Sequence, residues 1–365
     1  ANAAEKATDI IGDSGVVGGL VIHIGCGDGR LTTALRVNER VVVHGLDTDV
    51  SEARETIRAA GVYGPVSARP WSGGTLPYAD NLARLVVVSS EQRVKREEIL
   101  RVLCPGGTAM IAGEKILKPW PESMDQWPQH FLGADNNAGS YVTMVGPPRR
   151  TQWIAEPQWS RAHLILPSIH SMVSANGRLF TIEDQAPAEH PALPGQFSLV
   201  CRDAFSGIVL WQNRFPDWNP VNVYIKFTPA QLQRQLVAIG DTVYATPGLD
   251  APITTFDAAT GKKLGNYPGT ERVQEFAYDR GVLFTVIGDP FDTDGIGANL
   301  GGTIGDSAFP TRAYGPRIPK LEDPRSEIRT IDSDSGRTLW SVSGEKTRGY
   351  EGTSLAVRGS VVAYC

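Results

Sequence analysis

Three glycines at alternate positions, Gly25, Gly27 and Gly29, lie between an apolar stretch and a segment with helical periodicity. Glycine adopts backbone angles that other residues avoid, so this spacing predicts a tight turn that a ligand can approach closely. The helix that follows begins with N–H groups that have no partner within the helix, and such groups bind nucleotide-like ligands. The glycines are therefore predicted to contact a cofactor of that kind.

A carboxylate follows at the distance that ribose binding requires. Asp47 ends the second apolar stretch, about 20 residues after the glycine turn, where an acidic residue accepts hydrogen bonds from ribose hydroxyls. The alternative is a helix cap, because Asp47, Thr48 and Asp49 are all capping residue types. We favour the ribose role.

Four further residues are candidates for catalysis. Glu91 follows the fourth predicted strand, where residues facing a second substrate occur, and could act as a general base. Arg161, His163 and His170 flank the first hairpin of the second half of the chain. Together with the acidic pair Glu183-Asp184, they could bind an anionic sugar or support acid–base or metal chemistry. For each candidate, an ordinary surface or interface position is the alternative.

The remaining histidines and the cysteines indicate no further chemistry. His23 and His44 lie inside predicted strands and are expected to be hydrogen-bonded core residues. The 4 cysteines lie far apart and form no Cys-x-x-Cys motif, so neither a zinc ribbon nor a disulfide framework is indicated. No metal site is predicted.

Roughly the first 115 residues alternate between helices and strands, which predicts a doubly wound parallel sheet of five strands. Gly12 is expected to end the first helix, and Pro105-Gly106-Gly107 the last one. Strands are predicted at Val21–Ile24, Arg40–Leu46, Val66–Ser67, Leu85–Val88 and Thr108–Ala112, and helices at Ala3–Ile11, after the glycine turn, at Glu52–Ala60 and at Glu97–Leu103.

Four motifs occur in order in this part: VIHIGCGDGRLT, VHGLDTD, LPYADN and RVLCPGG. In this order they resemble the motifs of class I S-adenosylmethionine-dependent methyltransferases. The resemblance implies a Rossmann-like domain over residues 1–118 that binds S-adenosylmethionine. It implies that Gly25, Gly27 and Gly29 lie along the methionine and ribose part of the cofactor and that Asp47 binds the ribose.

The sequence also departs from that family. Trp71-Ser72-Gly73-Gly74 stands where the family usually has an acidic residue facing the adenine, and Arg84 stands where it often has Asp. Because the alternation ends at Lys118-Pro119-Trp120, the family's sixth and seventh strands are expected to be missing. The resemblance therefore supports cofactor binding more than methyl transfer.

Residues 119–365 repeat a unit of two hairpins. Such a unit forms a four-stranded sheet, and copies must stack to bury their faces, as the blades of a β-propeller do. The Asp and Gly of the second turn are predicted to be structural. The first turns centre on Gly177, Gly240, Gly281 and Gly359, and the D-x-x-x-G turns span Asp203 to Gly207, Asp257 to Gly261 and Asp332 to Gly336, with Trp211 and Trp340 after two of them.

The W-P-x-x-F-x-G core of DQWPQHFLGADNNAGS and the D-x-x-x-G-x-x-x-W pattern resemble propellers of the pyrroloquinoline-quinone (PQQ) type. That family includes quinoprotein dehydrogenases and the propeller lipoprotein of outer-membrane assembly. The dehydrogenases also carry adjacent cysteines and a calcium-binding acidic cluster, whereas this sequence has no Cys-Cys pair. We therefore predict a partial propeller over residues 119–365 that binds no PQQ.

The repeats predict partners. The last unit stops at Cys365 after its first hairpin, and three and a half units cannot close a ring, so the remaining blades are expected from the same longer polypeptide or from another chain.

A Gly/Pro-rich insertion, Asp289–Glu327, is expected to project as a loop. Exposed aromatic residues could form a carbohydrate platform, although most are expected to pack between blades. These aromatic residues are Trp153, Trp159, Trp218 and Tyr224.

The composition argues against nucleic acid as a partner and against a membrane-spanning helix. With 35 basic and 40 acidic residues, a net charge of -5 and no long basic block, nucleic acid binding is not predicted. No run of ~18 apolar residues predicts a transmembrane helix. The start ANAAEKATDII is typical of a chain after signal-peptide cleavage, so a periplasmic or secreted location is expected, with a cytoplasmic one as the alternative.

Two functions stay open at this point. One is an S-adenosylmethionine-binding, methyltransferase-like protein whose propeller presents an acceptor or partner. The other is an exported, propeller-centred scaffold for a saccharide or protein ligand, or a saccharide-active enzyme, in which the Rossmann-like domain is a degenerate structural module. Neither requires that the chain be an enzyme.

Overall fold

The structure is a computed structural model that describes residues 2–89, 94–140, 142, 151–157, 168–187, 195–216, 218, 230–248, 251–288, 326–347 and 354–364. The chain divides into two units. The first unit comprises Ala1–Asp125, Val142–Ala155 and Arg202–Trp211, and the second comprises Gln126–Tyr141, Glu156–Cys201 and Gln212–Cys365.

A six-stranded sheet forms the first unit's centre. Its strands are β1 (Gly19–Ile24), β2 (Val41–Asp47), β3 (Val66–Pro70), β4 (Ala83–Val88), β5 (Leu103–Ile111) and β6 (Glu114–Leu117). They stand in the order β3-β2-β1-β4-β5-β6; β1 to β5 are parallel, and β6 is antiparallel to β5. Because β2 and β4 flank β1, the strand order reverses beside β1. This is the Rossmann-like arrangement, in which ligands bind at the carboxyl edge at the reversal point.

Helices cover both faces of this sheet, as continuous apolar strands require. On one face, Val21 and Val43 pack with residues of the first and third helices, and on the other face Ile22 and Val86 pack with residues of the fourth. The helices are α1 (Ala3–Ser14), α2 (Arg30–Ala34), α3 (Ser51–Ala59) and α4 (Arg96–Val102). The predicted parallel sheet with intervening helices is confirmed.

The expected end of α1 at Gly12 is wrong. The helix continues to Ser14 and ends at Gly15, whose φ of 71° allows its N–H to bond the carbonyls of Ile11 and Gly12. One glycine within a helix costs only about 1 kcal/mol relative to alanine. A capping box between Asn2 and Glu5 stabilises the other end of α1.

The fifth strand also differs from the prediction. It begins at Leu103 rather than Thr108 and includes Pro105-Gly106-Gly107, because its register against β4 shifts between Ala83 and Leu85. A short antiparallel strand, β6, then follows where no sixth strand was expected.

Sheets of a different kind make up the later part of the chain. Three four-stranded antiparallel sheets, each with consecutive strands adjacent, are followed by a two-stranded one. The strands are β7 (Ile169–Ala175), β8 (Arg178–Asp184), β9 (Phe197–Asp203) and β10 (Val209–Arg214); β11 (Leu236–Ile239), β12 (Thr242–Ala245), β13 (Thr254–Asp257) and β14 (Lys263–Asn266); β15 (Val273–Asp279), β16 (Val282–Ile287), β17 (Glu327–Asp332) and β18 (Thr338–Val342); and β19 (Ala356–Arg358) with β20 (Val361–Ala363).

The predicted two-hairpin unit is confirmed. The first turns join β7 to β8, β11 to β12 and β15 to β16, and the D-x-x-x-G turns join the third strand of each four-stranded sheet to the fourth. The described residues form no closed ring, so a propeller stays a prediction. Of the predicted insertion, only Ser326 and Glu327 belong to the described residues.

One segment, Trp127–Asn136, contacts the first strand of every sheet in the second unit, and we call it the central segment. The penultimate residue of each first strand donates its backbone N–H to it. The four bonds run from Ser174 to the Trp127 carbonyl (2.7 Å), from Ala238 to the Pro128 carbonyl (2.7 Å), from Tyr278 to Gln129 Oε1 (3.0 Å) and from Val357 to the Ala134 carbonyl (2.7 Å). Four repeat units thus meet one chain segment at equivalent positions.

Within the residues that the structure describes, no helix is both long and apolar enough to cross a lipid bilayer.

Candidate functional site

The glycine loop between β1 and α2 adopts the left-handed conformation that its sequence predicts. The φ angles of Gly25, Gly27 and Gly29 are 81°, 49° and 78°. A Cβ at Gly29 would lie 2.7 Å from the Cα of Ala53 in α3, whereas a Cβ at Gly27 would have no atom within 4 Å. The loop therefore packs tightly on α3 at Gly29 and is open at Gly27.

Asp47, the last residue of β2, contacts this loop. Its Oδ2 accepts a hydrogen bond from the Gly27 N–H (3.0 Å), and its Oδ1 accepts one from the Thr48 N–H (2.7 Å). The N-cap residue of α3 is Val50, and the carboxylate of Asp49 before it accepts a bond from the Ser51 N–H (2.9 Å). The half-buried Asp47 carboxylate thus lies beside the open part of the glycine turn.

His23 lies buried beneath the same loop. Its Nδ1 is 2.8 Å from Thr32 Oγ1 in α2, and its Nε2 is 2.9 Å from Ser89 Oγ at the end of β4. Burial, with a smaller contribution from the Lys6 charge, lowers the pKa of His23 to about 4. The imidazole is therefore neutral and hydrogen-bonded on both sides, and its prediction as a core histidine is confirmed.

His44 in β2 is also a hydrogen-bonded histidine. Its Nδ1 is 2.8 Å from the Tyr78 hydroxyl, and burial lowers its pKa. The prediction for His44 is likewise confirmed.

The segment after β3 borders the carboxyl edge of the sheet. The backbone N–H of Trp71 donates to the Asp47 carbonyl (2.6 Å), and its indole N–H donates to the Thr75 carbonyl (3.1 Å). The Trp71 backbone is thus bonded to the end of β2, while its indole is held by the carbonyl of Thr75.

Helix α4 holds the rest of that segment. Glu98 accepts a bond from the Leu76 N–H (2.6 Å), while Arg101 donates to the carbonyls of Leu76 (3.0 Å) and Tyr78 (2.9 Å). An ion pair between Arg101 and Glu98 (2.7 Å) orients both side chains. The loop that contains LPYADN is therefore fixed by charge-assisted bonds rather than by regular structure.

Of the remaining catalytic candidates, His170 alone belongs to the described residues. Glu91, Arg161 and His163 lie outside the described residues. His170 is only 3% exposed, with its ring 5.3 Å from the rings of both Phe197 and Trp218, and burial lowers its pKa to about 4. His170 is thus a neutral member of an aromatic cluster, and the neighbouring acidic pair in β8 is buried as well.

Two of the aromatic residues considered for a carbohydrate platform are packed. Trp218 is 1% exposed, and the indole of Trp153 donates to the Ala204 carbonyl (3.1 Å). A Cβ at Gly207 would lie 2.5 Å from the Trp153 ring. These positions confirm packing as their role, while Trp159 and Tyr224 lie outside the described residues.

The turn aspartates make the structural bonds that were predicted for them. In each copy, one carboxylate oxygen accepts bonds from the backbone N–H and the hydroxyl three residues later. The pairs are Asp203 with Ser206, Asp257 with Thr260 and Asp332 with Ser335.

An ion pair that the sequence analysis missed involves the first of these turns. Arg84, singled out only as a departure from a family pattern, donates from Nε to Asp203 Oδ2 (2.9 Å) and also from Nη2. The side chains are 16% and 1% exposed. An arginine in an otherwise apolar strand was the available signal, since a buried cation requires a partner.

Metal binding and thiol chemistry gain no support from the described residues. They contain no group of three or more His, Cys, Asp or Glu side chains that could hold a metal ion. Cys26, Cys104 and Cys201 are buried and form no disulfide with one another, and burial raises the pKa of the first two to about 11.

No protein-family model and no curated protein sequence matches this chain. Solved structures similar to its amino-terminal part include a protein from Methanococcus maripaludis provisionally assigned as an S-adenosyl-L-methionine-dependent methyltransferase, with 27% identity, 30% of this chain and 54% of that chain covered, and a TM-score of 0.28. Another is the geranyl diphosphate C-methyltransferase of Streptomyces coelicolor, with 17% identity, coverage of 30% and 44%, and a TM-score of 0.27.

The [4+2]-cyclase SpnF is also similar, with 23% identity, coverage of 30% and 43%, and a TM-score of 0.28. This chain spans about half the length of the structures it matches. At these TM-scores the neighbours carry no argument about function. The Rossmann-like assignment rests on the strand order and on the glycine loop of this chain.

Proposed function

We propose that the first unit binds S-adenosylmethionine, or a closely related adenosyl compound, at the carboxyl edge of its parallel sheet. The observation that carries this proposal is the glycine loop, which is left-handed at three positions, open at Gly27 and hydrogen-bonded through Gly27 to Asp47. An open glycine loop after β1 and a carboxylate at the end of β2 can contact the ribose of an adenosyl compound.

The residues at this edge fit such a ligand. The absence of a side chain at Gly27 leaves room for a ligand to approach the backbone, and the Asp47 carboxylate can accept bonds from ribose hydroxyls. The indole of Trp71 offers an apolar ring for the adenine in place of the missing carboxylate. When bound, S-adenosylmethionine would supply an electrophilic methyl group.

Methyl transfer does not follow from the described residues. His23 is the titratable side chain directly beneath the loop, and its burial and pKa of about 4 make it a poor general base. The proposal is therefore one of binding, with the later sheets serving as a partial propeller that presents an acceptor or a partner.

Calorimetric titration with S-adenosylhomocysteine tests this proposal. We expect saturable binding to the intact protein and a loss of affinity of about tenfold or more in Asp47→Ala, since a hydrogen bond to a charged group contributes ~1.5–3 kcal/mol. Asp49→Ala is the matched control, because Asp49 lies two residues away and bonds only within the start of α3. It should bind within about twofold of the intact protein.

A second function is favoured by one observation, the Trp71-Ser72-Gly73-Gly74 sequence at the adenine position. In this alternative, the first unit is a structural module of a propeller-centred scaffold or a saccharide-active protein. Absence of heat on titration of the intact protein with S-adenosylhomocysteine would support this alternative and remove the first proposal.

A further inference from the structure

Asp47 and Ser89 lie on either side of the glycine loop at the carboxyl edge of the parallel sheet. The register of β1 with both β2 and β4 runs to Ile24, the last residue of β1. The backbone bonds then continue by one residue. Gly25 donates its N–H to the Leu46 carbonyl (2.8 Å), and Ser89 donates its N–H to the Ile24 carbonyl (2.9 Å). Asp47 and Ser89 are therefore level with Gly25, one on each neighbouring strand.

The side chains of these two residues are on the same face of the sheet. His23 pairs in register with Gly45 of β2 and Val87 of β4. Asp47 and Ser89 follow those partners by two residues each, and side chains alternate between faces with a period of two. Neighbouring strands are ~4.8 Å apart, so the two positions are about 10 Å apart across β1. A ligand that reaches from Asp47 to Ser89 must therefore lie across Gly25.

The bonds of His23 decide which of its ring nitrogens carries the proton. Thr32 is 0% exposed, and within the part of the chain that the structure describes its hydroxyl bonds only to His23 Nδ1 (2.8 Å). A buried hydroxyl that donates to nothing is costly, so Thr32 donates its O–H to Nδ1. Burial lowers the pKa of His23 to about 4, so the imidazole is neutral and has one N–H. That N–H is therefore on Nε2.

The hydroxyl of Ser89 is left with a free proton. His23 Nε2 lies 2.9 Å from Ser89 Oγ and donates to it. One lone pair of Oγ is thus occupied, and among the described residues no acceptor bonds the Ser89 O–H. Ser89 is exposed at the carboxyl edge. Its O–H is therefore available to donate to an acceptor group of a ligand.

The charges at this edge restrict that acceptor. Asp28 lies in the glycine loop, Asp47 ends β2, and Asp49 follows two residues later, while Arg30 lies 3.4 Å from Asp28 and offsets part of its charge. A polyphosphate would be repelled by these carboxylates. An amino acid group carries an ammonium beside its carboxylate and has no net charge, so it can present a carboxylate oxygen to Ser89 without that repulsion.

We propose that Ser89 donates its hydroxyl proton in a hydrogen bond to the carboxylate of an amino acid tail, and that the adenosyl ligand of the first unit carries such a tail. His23 is a positioning residue, because it bonds Ser89 and does not touch the ligand. This inference rests on the adenosyl site proposed above. It adds that the ligand extends from Asp47 across Gly25 to Ser89.

Calorimetric titration with three ligands tests whether Ser89 acts on the carboxylate in particular. S-adenosylhomocysteine carries the complete amino acid tail. Its decarboxylated analogue keeps the amine and lacks the carboxylate. Adenosine diphosphate has the same ribose and places phosphates where the tail would be.

Ser89→Ala should weaken binding of S-adenosylhomocysteine about tenfold or more, as the loss of a hydrogen bond to a charged group predicts. It should leave the affinities of the decarboxylated analogue and of adenosine diphosphate within about twofold of the intact protein. Ser67→Ala is the matched control, since Ser67 is a half-buried serine of β3, which β2 and β1 separate from β4. It should change the affinity of none of the three ligands.

Two substitutions of His23 separate positioning from a general structural role. His23→Gln can accept from Thr32 and donate an N–H to Ser89, so it should keep the contribution of the carboxylate to affinity. His23→Met lacks the donor and should lose most of that contribution, with the decarboxylated analogue bound as before. Nitrogen-15 NMR of the ligand-free protein should show the His23 proton on Nε2.

The inference is overturned if Ser89→Ala weakens S-adenosylhomocysteine and its decarboxylated analogue equally, or weakens neither. It is also overturned if Ser89→Ala weakens adenosine diphosphate instead, or if His23 carries its proton on Nδ1 in the ligand-free protein. In all these cases the adenosyl site itself stands. Absence of binding of any of the three ligands to the intact protein would overturn the proposed adenosyl site and this inference with it.

Discussion

Arg84 at the start of β4 donates two hydrogen bonds to Oδ2 of Asp203 within the first unit. The other carboxylate oxygen, Oδ1, makes the same local turn bonds that Asp257 and Asp332 make in the later copies. In the first copy of the turn, the repeated aspartate thus has a second role, which is the ion pair with Arg84. The guanidinium also lies 5.7 Å from the Phe205 ring of the same turn.

This ion pair predicts unequal costs for one substitution made in two copies of the turn. Asp203→Asn keeps an oxygen for the local turn bonds but leaves the Arg84 charge, 16% exposed, without its anion. We expect a loss of about 2–4 kcal/mol in the free energy of unfolding. Asp332→Asn, whose carboxylate serves the local turn, should cost much less. Urea unfolding of both variants measures the difference.

Equal losses in the two variants would show that the turn bonds alone account for the effect. Arg84→Met provides a further check, because it removes the cation and leaves Asp203 as the buried, unbalanced charge. The double variant should recover part of the sum of the two losses, as expected for residues that interact directly.

The glycine loop predicts a separation of folding from binding. A Cβ at Gly29 would meet the backbone of α3 at 2.7 Å, so Gly29→Ala should lower the free energy of unfolding by about 2–4 kcal/mol. Gly27→Ala meets no atom within 4 Å and should cost only the left-handed backbone strain, about 1–2 kcal/mol. It should nevertheless weaken S-adenosylhomocysteine binding about tenfold, because the methyl group occupies the approach of the ligand.

Thermal unfolding and calorimetric titration of the two glycine variants separate these effects. Unchanged affinity in a folded Gly27→Ala protein would contradict a ligand position over this residue.

Local sequence patterns predicted the helices and strands, and most of the features that these patterns missed depend on long-range contacts. The apolar stretch before Gly25 sufficed for β1 and its loop because strand burial and glycine spacing are local properties. Strand β6 was missed because its sequence, Glu114–Leu117, is half charged and its turn includes Ala112 at a φ of 48°. The bond between Arg84 and Asp203 joins residues 119 positions apart, which no periodicity reports.

The candidate binding residues show the same difference between local sequence patterns and long-range contacts. Gly27 and Asp47 were found because both lie at ends of predicted strands, and parallel strands bring such ends to one edge. Ser89 was not singled out, since its bond to His23 depends on how β4 aligns with β1. His170 was chosen for its residue type, and only the structure shows that Phe197 and Trp218 enclose it.

The buried His23 predicts a pH dependence of stability. Its pKa is lowered from 6.5 to about 4 in the folded protein, so below pH 6.5 the unfolded chain binds more protons at this residue. Above about pH 6.5 His23 is neutral in both states and does not change the free energy of unfolding. As the pH falls from 6.5 toward 4, the free energy of unfolding decreases, by about 2 kcal/mol at pH 5. Urea unfolding at pH 7 and pH 5 measures the loss.

His23→Gln is the matched variant for this effect, because glutamine can bond Thr32 or Ser89 without titrating in this range. The variant should lose about 2 kcal/mol less than the intact protein between pH 7 and pH 5. An equal loss in the two proteins would place the acid sensitivity elsewhere in the chain.

The central segment predicts which backbone groups depend on one side chain. Gln129, 6% exposed, accepts a bond from the Tyr278 N–H (3.0 Å) and donates one to the Tyr278 carbonyl (3.0 Å). Gln129→Ala should therefore accelerate amide hydrogen exchange at Tyr278 and lower the free energy of unfolding by about 1–2 kcal/mol, because two partly buried backbone groups lose their partner. Exchange at Ala238, which donates to the Pro128 backbone carbonyl, should change less.

Gln126→Ala is the control for this experiment, since Gln126 is exposed and bonds the N–H of the turn residue Asn176. It should cost less than about 1 kcal/mol and leave exchange at Tyr278 unchanged. If Gln129→Ala instead accelerates exchange equally at Ser174, Ala238, Tyr278 and Val357, the segment acts as one cooperative clamp on all four first strands. If exchange at Tyr278 is unaffected, Gln129 does not hold β15 in solution.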